Sequence, residues 1–235
     1  MNTRKQGGIT ISTDRERAIF NRLAAAEREK NKIVTPGFIR VEKLLQNGNP
    51  KMDFQVLRDT NSDSITEQKL DRNDKFLATH LGLFLMLRDP SITGAEVLQT
   101  YPNAEVFDAM DGDDPTLYLR DARHLETIYN GKLSITVGQT KYVEALDTRR
   151  FRNVPTSQQI TIEDATPVVI SKIGNSEQSE KTGFIDLTPQ ITFDGDQKNL
   201  ITLEAPISGS HKIQSSTAPL AYVVLVMRGF LITNR

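Results

Sequence analysis

The chain has 235 residues, room for one large or two small domains, with 37% hydrophobic and 25% charged residues and a formal net charge of -1. The near-neutral balance excludes a global pull toward nucleic acid, and the absence of cysteine excludes disulfides, thiol nucleophiles and Cys-based zinc sites. No apolar signal core follows the basic residues Arg4 and Lys5, and the longest apolar runs, 76–87 and 220–232, are too short to span a bilayer as helices, so synthesis in a cytoplasm is expected.

Residues 1–12 are polar and contain glycine, as expected of a terminal arm. Thr13 and Glu16 have the spacing of a capping box, and Ile19, Phe20, Leu23, Ala24 and Ala26 then fall at helical intervals, which predicts an amphipathic helix to about Lys30. Residues 1–32 hold eight Lys/Arg against four acids, a local balance of +4. A helix packed on its own domain accounts for this, and so does contact of Arg15, Arg17, Arg22, Arg28 and Lys30 with lipid head groups, packaged nucleic acid or a neighbouring subunit.

After Pro36-Gly37 the pattern turns to β. Residues 38–45 are rich in apolar side chains, 47–50 (Asn-Gly-Asn-Pro) signal a turn, and Met52, Phe54 and Val56 alternate with polar neighbours, so a hairpin is expected. A polar turn at 59–63 precedes a possible strand at 65–70. The run 76–87 satisfies either period and is read as a strand. Asp114 is placed to cap a helix beginning at Pro115, with Tyr118, Ala122, Leu125 and Tyr129 on one face and Asn130-Gly131 ending it; this predicts a helix over 115–129. Leu133, Ile135 and Val137 then alternate with polar residues.

From Pro155 the chain reads as short strands around 160–162, 168–170, 184–187, 191–193 and 200–203, separated by turn residues, the spacing of a sandwich or barrel. The last run, 222–232, is β-branched and apolar at nearly every position and is read as a strand buried on both faces, with Arg228-Gly229 marking a bulge or an exit to the surface.

Few residues suggest chemistry. His80, His124 and His211 share no metal-ligand spacing and are read as structural. The glycines form neither a phosphate cradle nor a dinucleotide fingerprint. Asp108, Asp111 and Asp113, with Asp114, form an acidic loop that could hold calcium, although no glutamate completes an EF-hand register; a solvated turn with a helix cap is the simpler reading. Three arginines, Arg149, Arg150 and Arg152, bracket Phe151; they suit a phosphate, an acidic neighbour or a subunit seam, or simply a solvated loop. Catalysis and cofactors are not expected, and a β-barrel hydrolase is the minority reading.

The N-terminal helix, the β-rich body with a mid-chain helix, the segments 129–137 (YNGKLSITV) and 147–155 (DTRRFRNVP), and the closing run 222–232 together resemble viral jelly-roll coat proteins. Within that class they look most like the double jelly-roll major capsid proteins of small icosahedral, membrane-containing bacteriophages. The resemblance implies a mainly β protein with an arm and helix over 1–32, a first jelly-roll domain over 33–153 and a second over 154–235. Sixteen strands need on the order of 160 residues, so two compact rolls fit, and so does one roll with an elaborated front half. It further implies a homotrimeric virion protein that tiles a shell, touches other virion proteins, and turns its N-terminal region toward an internal membrane or genome. A minor virion or spike-base protein is the alternative within the class; a carbohydrate-binding β-sandwich module is the alternative outside it, disfavoured by an aromatic content of 6% without tryptophan.

Overall fold

The computed structural model describes residues 14–28, 30–58, 66–91, 96–154 and 182–234. Thr13, the turn at 59–63 and the expected strands around 160–162 and 168–170 lie outside them. Among the described residues, ten strands and three α-helices follow in the order α1 (Asp14–Arg28), β1 (Lys32–Leu44), β2 (Lys51–Gln55), β3 (Lys75–Arg88), α2 (Ala104–Phe107), β4 (Ala109–Met110), β5 (Tyr118–Arg120), α3 (Ala122–Leu125), β6 (Lys132–Val137), β7 (Thr140–Asp147), β8 (Phe184–Asp194), β9 (Asn199–Glu204) and β10 (Leu220–Asn234).

The protein is mainly β, and its ladders are antiparallel. One four-stranded sheet has the order β1-β10-β3-β8 and another has the order β2-β9-β6-β7; β4 and β5 pair by themselves. Both large sheets draw strands from each side of residue 154, since β10 lies between β1 and β3 and β9 lies between β2 and β6. The expected hairpin over 38–56 does not form. Residues 47–50 do turn the chain, but β1 pairs with β10 while β2 pairs with β9, so the turn carries the chain from one sheet to the other. Pro36 and Pro189 sit in β1 and β8, the two edge strands of their sheet, where a missing N–H is tolerated.

A single apolar core joins the sheets. Ile39, Val41, Leu83, Leu85, Val223 and Leu225 from one sheet meet Met52, Phe54, Leu133, Ile135, Ile201 and Leu203 from the other, all at most 2% exposed. Each large side chain buried there is worth about 1.5–3 kcal/mol, so period-two alternation in β2 and β6 is enforced by the core they face. The closing strand is buried on both faces, as its composition implies. Val223, Leu225 and Met227 point into the core, whereas Val224 and Val226 join Phe84 and Met86 in a second apolar layer covered by Leu98, Phe184 and Tyr222.

The helix expected over 115–129 is mostly absent. Tyr118–Arg120 pairs as β5 with β4, Asp114 caps only a turn at Thr116, and one α turn (Ala122–Leu125) runs into a 3-10 turn, Glu126–Asn130. The helical spacing of Ala122, Leu125 and Tyr129 reflects their shared burial in the core. Arg120, 1% exposed, explains part of the departure: its guanidinium donates to the carbonyls of Phe107 and Pro219, which draws the strand inward.

Candidate functional site

The outer face of sheet β1-β10-β3-β8 carries two clusters of polar and charged side chains. Helix α1 lies across it because Ile19 is buried there and Phe20 packs on Phe230 with ring centroids 5.6 Å apart. Strand register sets Phe38, Arg228, His80 and Asp186 in one row across all four strands. Two irregularities build the centre of that row. The β10–β3 ladder shifts between Arg228 and Gly229, and the β3–β8 ladder shifts between Ala78 and His80, which leaves Thr79 without a cross-strand partner. Thr79 is 5% exposed; its hydroxyl donates to the Arg228 carbonyl at 3.1 Å and lies 2.9 Å from His80 Nδ1.

Around His80 the charges alternate. Its Nε2 is 2.9 Å from Asp186 Oδ1, and its Nδ1 is 3.7 Å from Glu16 Oε1. Arg15 reaches down from α1 to Asp186 Oδ2 at 2.8 Å and Thr188 Oγ1 at 2.9 Å. Arg228 stacks on Phe184, its guanidinium carbon 4.0 Å from the ring centre.

A second polar cluster closes the other end of the same face. Glu42, its side chain 3% exposed, accepts from Arg40, Thr66 and Arg88, and Arg88 also donates to Glu96 while lying over Tyr222. Burial opposes the Arg88 charge, but the two carboxylates outweigh it and hold the guanidinium above its ordinary value. This network pins residues 66–70 and 96–99 to the sheet, where Gln99 pairs with Leu85.

The basic residues singled out in the sequence separate into three groups. Arg15 is engaged with the sheet, so it docks the helix. Arg17, Lys30 and Arg152 pair with Asp14, Glu27 and Glu126, and Arg149 donates to Asn130. Among the described residues, the side chains of Arg22, Arg28 and Arg150 have no hydrogen-bonded or ionic partner, and all three are exposed. Phe151, bracketed by arginines in the sequence, is fully buried, so it offers no stacking platform.

Asp108, Asp111 and Asp113 do not converge. Asp108 accepts from the Ala122 N–H, and Asp111 accepts from the Asp113 N–H. Among the described residues no group of three or more His, Asp or Glu side chains could hold a metal. His124 and His211, distant in sequence, have ring centroids 5.3 Å apart. Each Nδ1 accepts a backbone N–H, from Lys212 and Ser208 respectively, so each neutral ring keeps its proton on Nε2 and turns no lone pair outward. No sequence spacing could have signalled that pair or the His80 cluster, because their members come from separate elements.

No protein-family model, curated protein or solved structure matches this chain.

Proposed function

We propose that the chain is a structural coat subunit built on a single jelly roll, which assembles with copies of itself into a shell and has no catalytic role. The observation that carries this reading is the strand order. The first and last long strands, β1 and β10, are neighbours in one sheet, β2 and β9 are neighbours in the facing sheet, and β3 with β8 and β6 with β7 complete the two. That interleaving is the winding expected of one jelly roll and supports the reading. Among the described residues, the eight strands of the two large sheets belong to this one sandwich, so the proposal is for one roll with an elaborated connection between β3 and β6, in place of two rolls in tandem.

Fold does not dictate function, so the step to a coat protein rests on the resemblance together with the surface. Ile33 and Phe38 on edge strand β1, Met110 and Leu117 beside the β4–β5 hairpin, and Tyr142 on edge strand β7 are at least 40% exposed, surface that subunit packing would cover. Arg22 and Arg28 on the outer face of α1 suit an anionic neighbour, a lipid head group or the genome, and Arg150 suits an acidic subunit seam.

Size-exclusion chromatography with light scattering, followed by electron microscopy of the purified full-length chain, tests the proposal. Trimers or larger closed particles are expected. A monomer at every concentration and salt condition would overturn it and favour the carbohydrate-binding module, for which a glycan screen is the direct assay.

A further inference from the structure

We propose that a cleft formed by the end of β2, Arg72 and the β8–β9 turn is a binding site for a sugar acid. The cleft holds about 480 Å³, within the range of small-ligand pockets. Its polar lining comes from Gln55, Arg72, Asp196, Gln197, Lys198 and Asn199. Backbone contacts fix this frame. The Gly195 N–H donates to the Asp74 carbonyl at 2.9 Å, and a Cβ on Gly195 would overlap the carbonyl oxygens of Asp71 and Arg72, so the β8–β9 turn is pressed against residues 71–74. From the β6–β7 turn, the Gly138 N–H donates to the Lys198 carbonyl at 2.9 Å. Asn199 spends both its amide protons inside the turn, on the carbonyls of Asp194 at 2.7 Å and Gln197 at 3.0 Å.

The frame presents unspent hydrogen-bonding capacity. Among the described residues, the side chains of Gln55, Arg72, Gln197 and Lys198 have no hydrogen-bonded or ionic partner, and all four are exposed around the one cleft. Asn199 is 2% exposed, and its Oδ1 has no donor. The amide cannot turn round to relieve this, because two carbonyls would then face an oxygen. That Oδ1 exposes less than 1 Å², so a ligand group reaches it only as the exposed side chains at the rim give way. Charge and donor count select the ligand. Arg72 and Lys198 against Asp196 leave one net positive charge, which matches a carboxylate better than the nearly double charge of a phosphate ester. The Arg72 fork suits a carboxylate through two parallel N–H bonds. Asn199 Oδ1 and the Asp196 carboxylate only accept, so the ligand must also bring donors, and hydroxyl groups supply them; Gln55 and Gln197 can give to hydroxyls or accept from them. A carboxylate on a hydroxylated ring is a sugar acid. The inference does not depend on the coat reading, since a coat subunit and a free sandwich module would carry this cleft alike.

Isothermal titration of the purified full-length chain with glucuronate, galacturonate and N-acetylneuraminate tests the site. Saturable binding of at least one is expected, with glucose, acetate and glucose 6-phosphate each weaker by about tenfold or more, since they lack in turn the charge, the hydroxyls and the single negative charge. Arg72→Gln, at an exposed side chain without a partner, should weaken binding by about tenfold and leave the thermal unfolding of the free protein unchanged. Gln55→Ala, equally exposed, should weaken it severalfold. Absence of saturable binding by all three sugar acids overturns the proposal. So does equal or tighter binding of any of the three control compounds, or an affinity unchanged in Arg72→Gln. Particle formation is read separately and bears on the coat reading alone.

Discussion

Gly229 and Leu77 approach so closely across the β10–β3 ladder that a Cβ on Gly229 would overlap the Leu77 carbonyl oxygen. The contact lies at the bulge beside Arg228, and the obstructing atom is backbone, which cannot swing away. Gly229→Ala is therefore expected to lower stability toward the upper end of about 1–3 kcal/mol, the usual range for overpacking. Urea unfolding with an unchanged m-value checks this; an unaltered midpoint would show that the ladder can yield.

Val224 makes a sharper case. It is fully buried in the apolar layer with Phe84, Met86 and Val226, on a strand flanked by β1 and β3. A carboxylate there is cut off from water and stands opposite Glu42, a like charge that already engages Arg40 and Arg88, so Val224→Asp should yield insoluble protein or abolish cooperative unfolding. Val224→Ala should leave a folded protein weakened by roughly 2 kcal/mol. Soluble, cooperatively folding Val224→Asp would contradict the two-sided burial of β10.

Arg120 binds three segments at one buried point, donating from β5 to Phe107 and to Pro219. Burial pushes its guanidinium below the ordinary value, with Asp108 opposing the shift. Arg120→Ala strips two carbonyls of their donor and opens a cavity; a loss of about 3 kcal/mol is expected, measurable by thermal unfolding, with β4–β5 amides exchanging first.

Lys75 and Asp194 join the β3–β8 ladder at its end. The Lys75 ammonium holds the Asp194 carboxyl below the usual carboxylate range, and Asp194 in turn raises Lys75. A depressed carboxyl contributes stability above its unfolded value, near about 3.9, and loses it as pH falls through the folded value. Lys75 is 40% exposed, so screening holds the pair below about 1 kcal/mol. Lys75→Met should reduce stability near neutrality, flatten the acid limb of the stability profile and remove its sensitivity to added salt. An acid limb identical to the parent's would exclude this role.

Local pattern carried much of the secondary structure. The alternation of Leu133, Ile135 and Val137 marked β6, the apolar periodicity of Ile19 and Phe20 marked the docking side of α1, and the β-branched run at 222–232 marked a strand without a solvent face, because side-chain periodicity reports burial directly. Partner choice was not written there. An apolar strand satisfies any sheet that covers it, so nothing local could say that β1 joins β10 while β2 crosses to β9, or that Tyr118 begins a strand instead of a helix. The His80 cluster was hidden for the same reason: Glu16, Thr79, Asp186 and Arg228 share no spacing in sequence and meet only where two ladder irregularities and a docked helix bring them together. Burial follows from residue type and period; juxtaposition follows from long-range pairing, which only the folded chain decides.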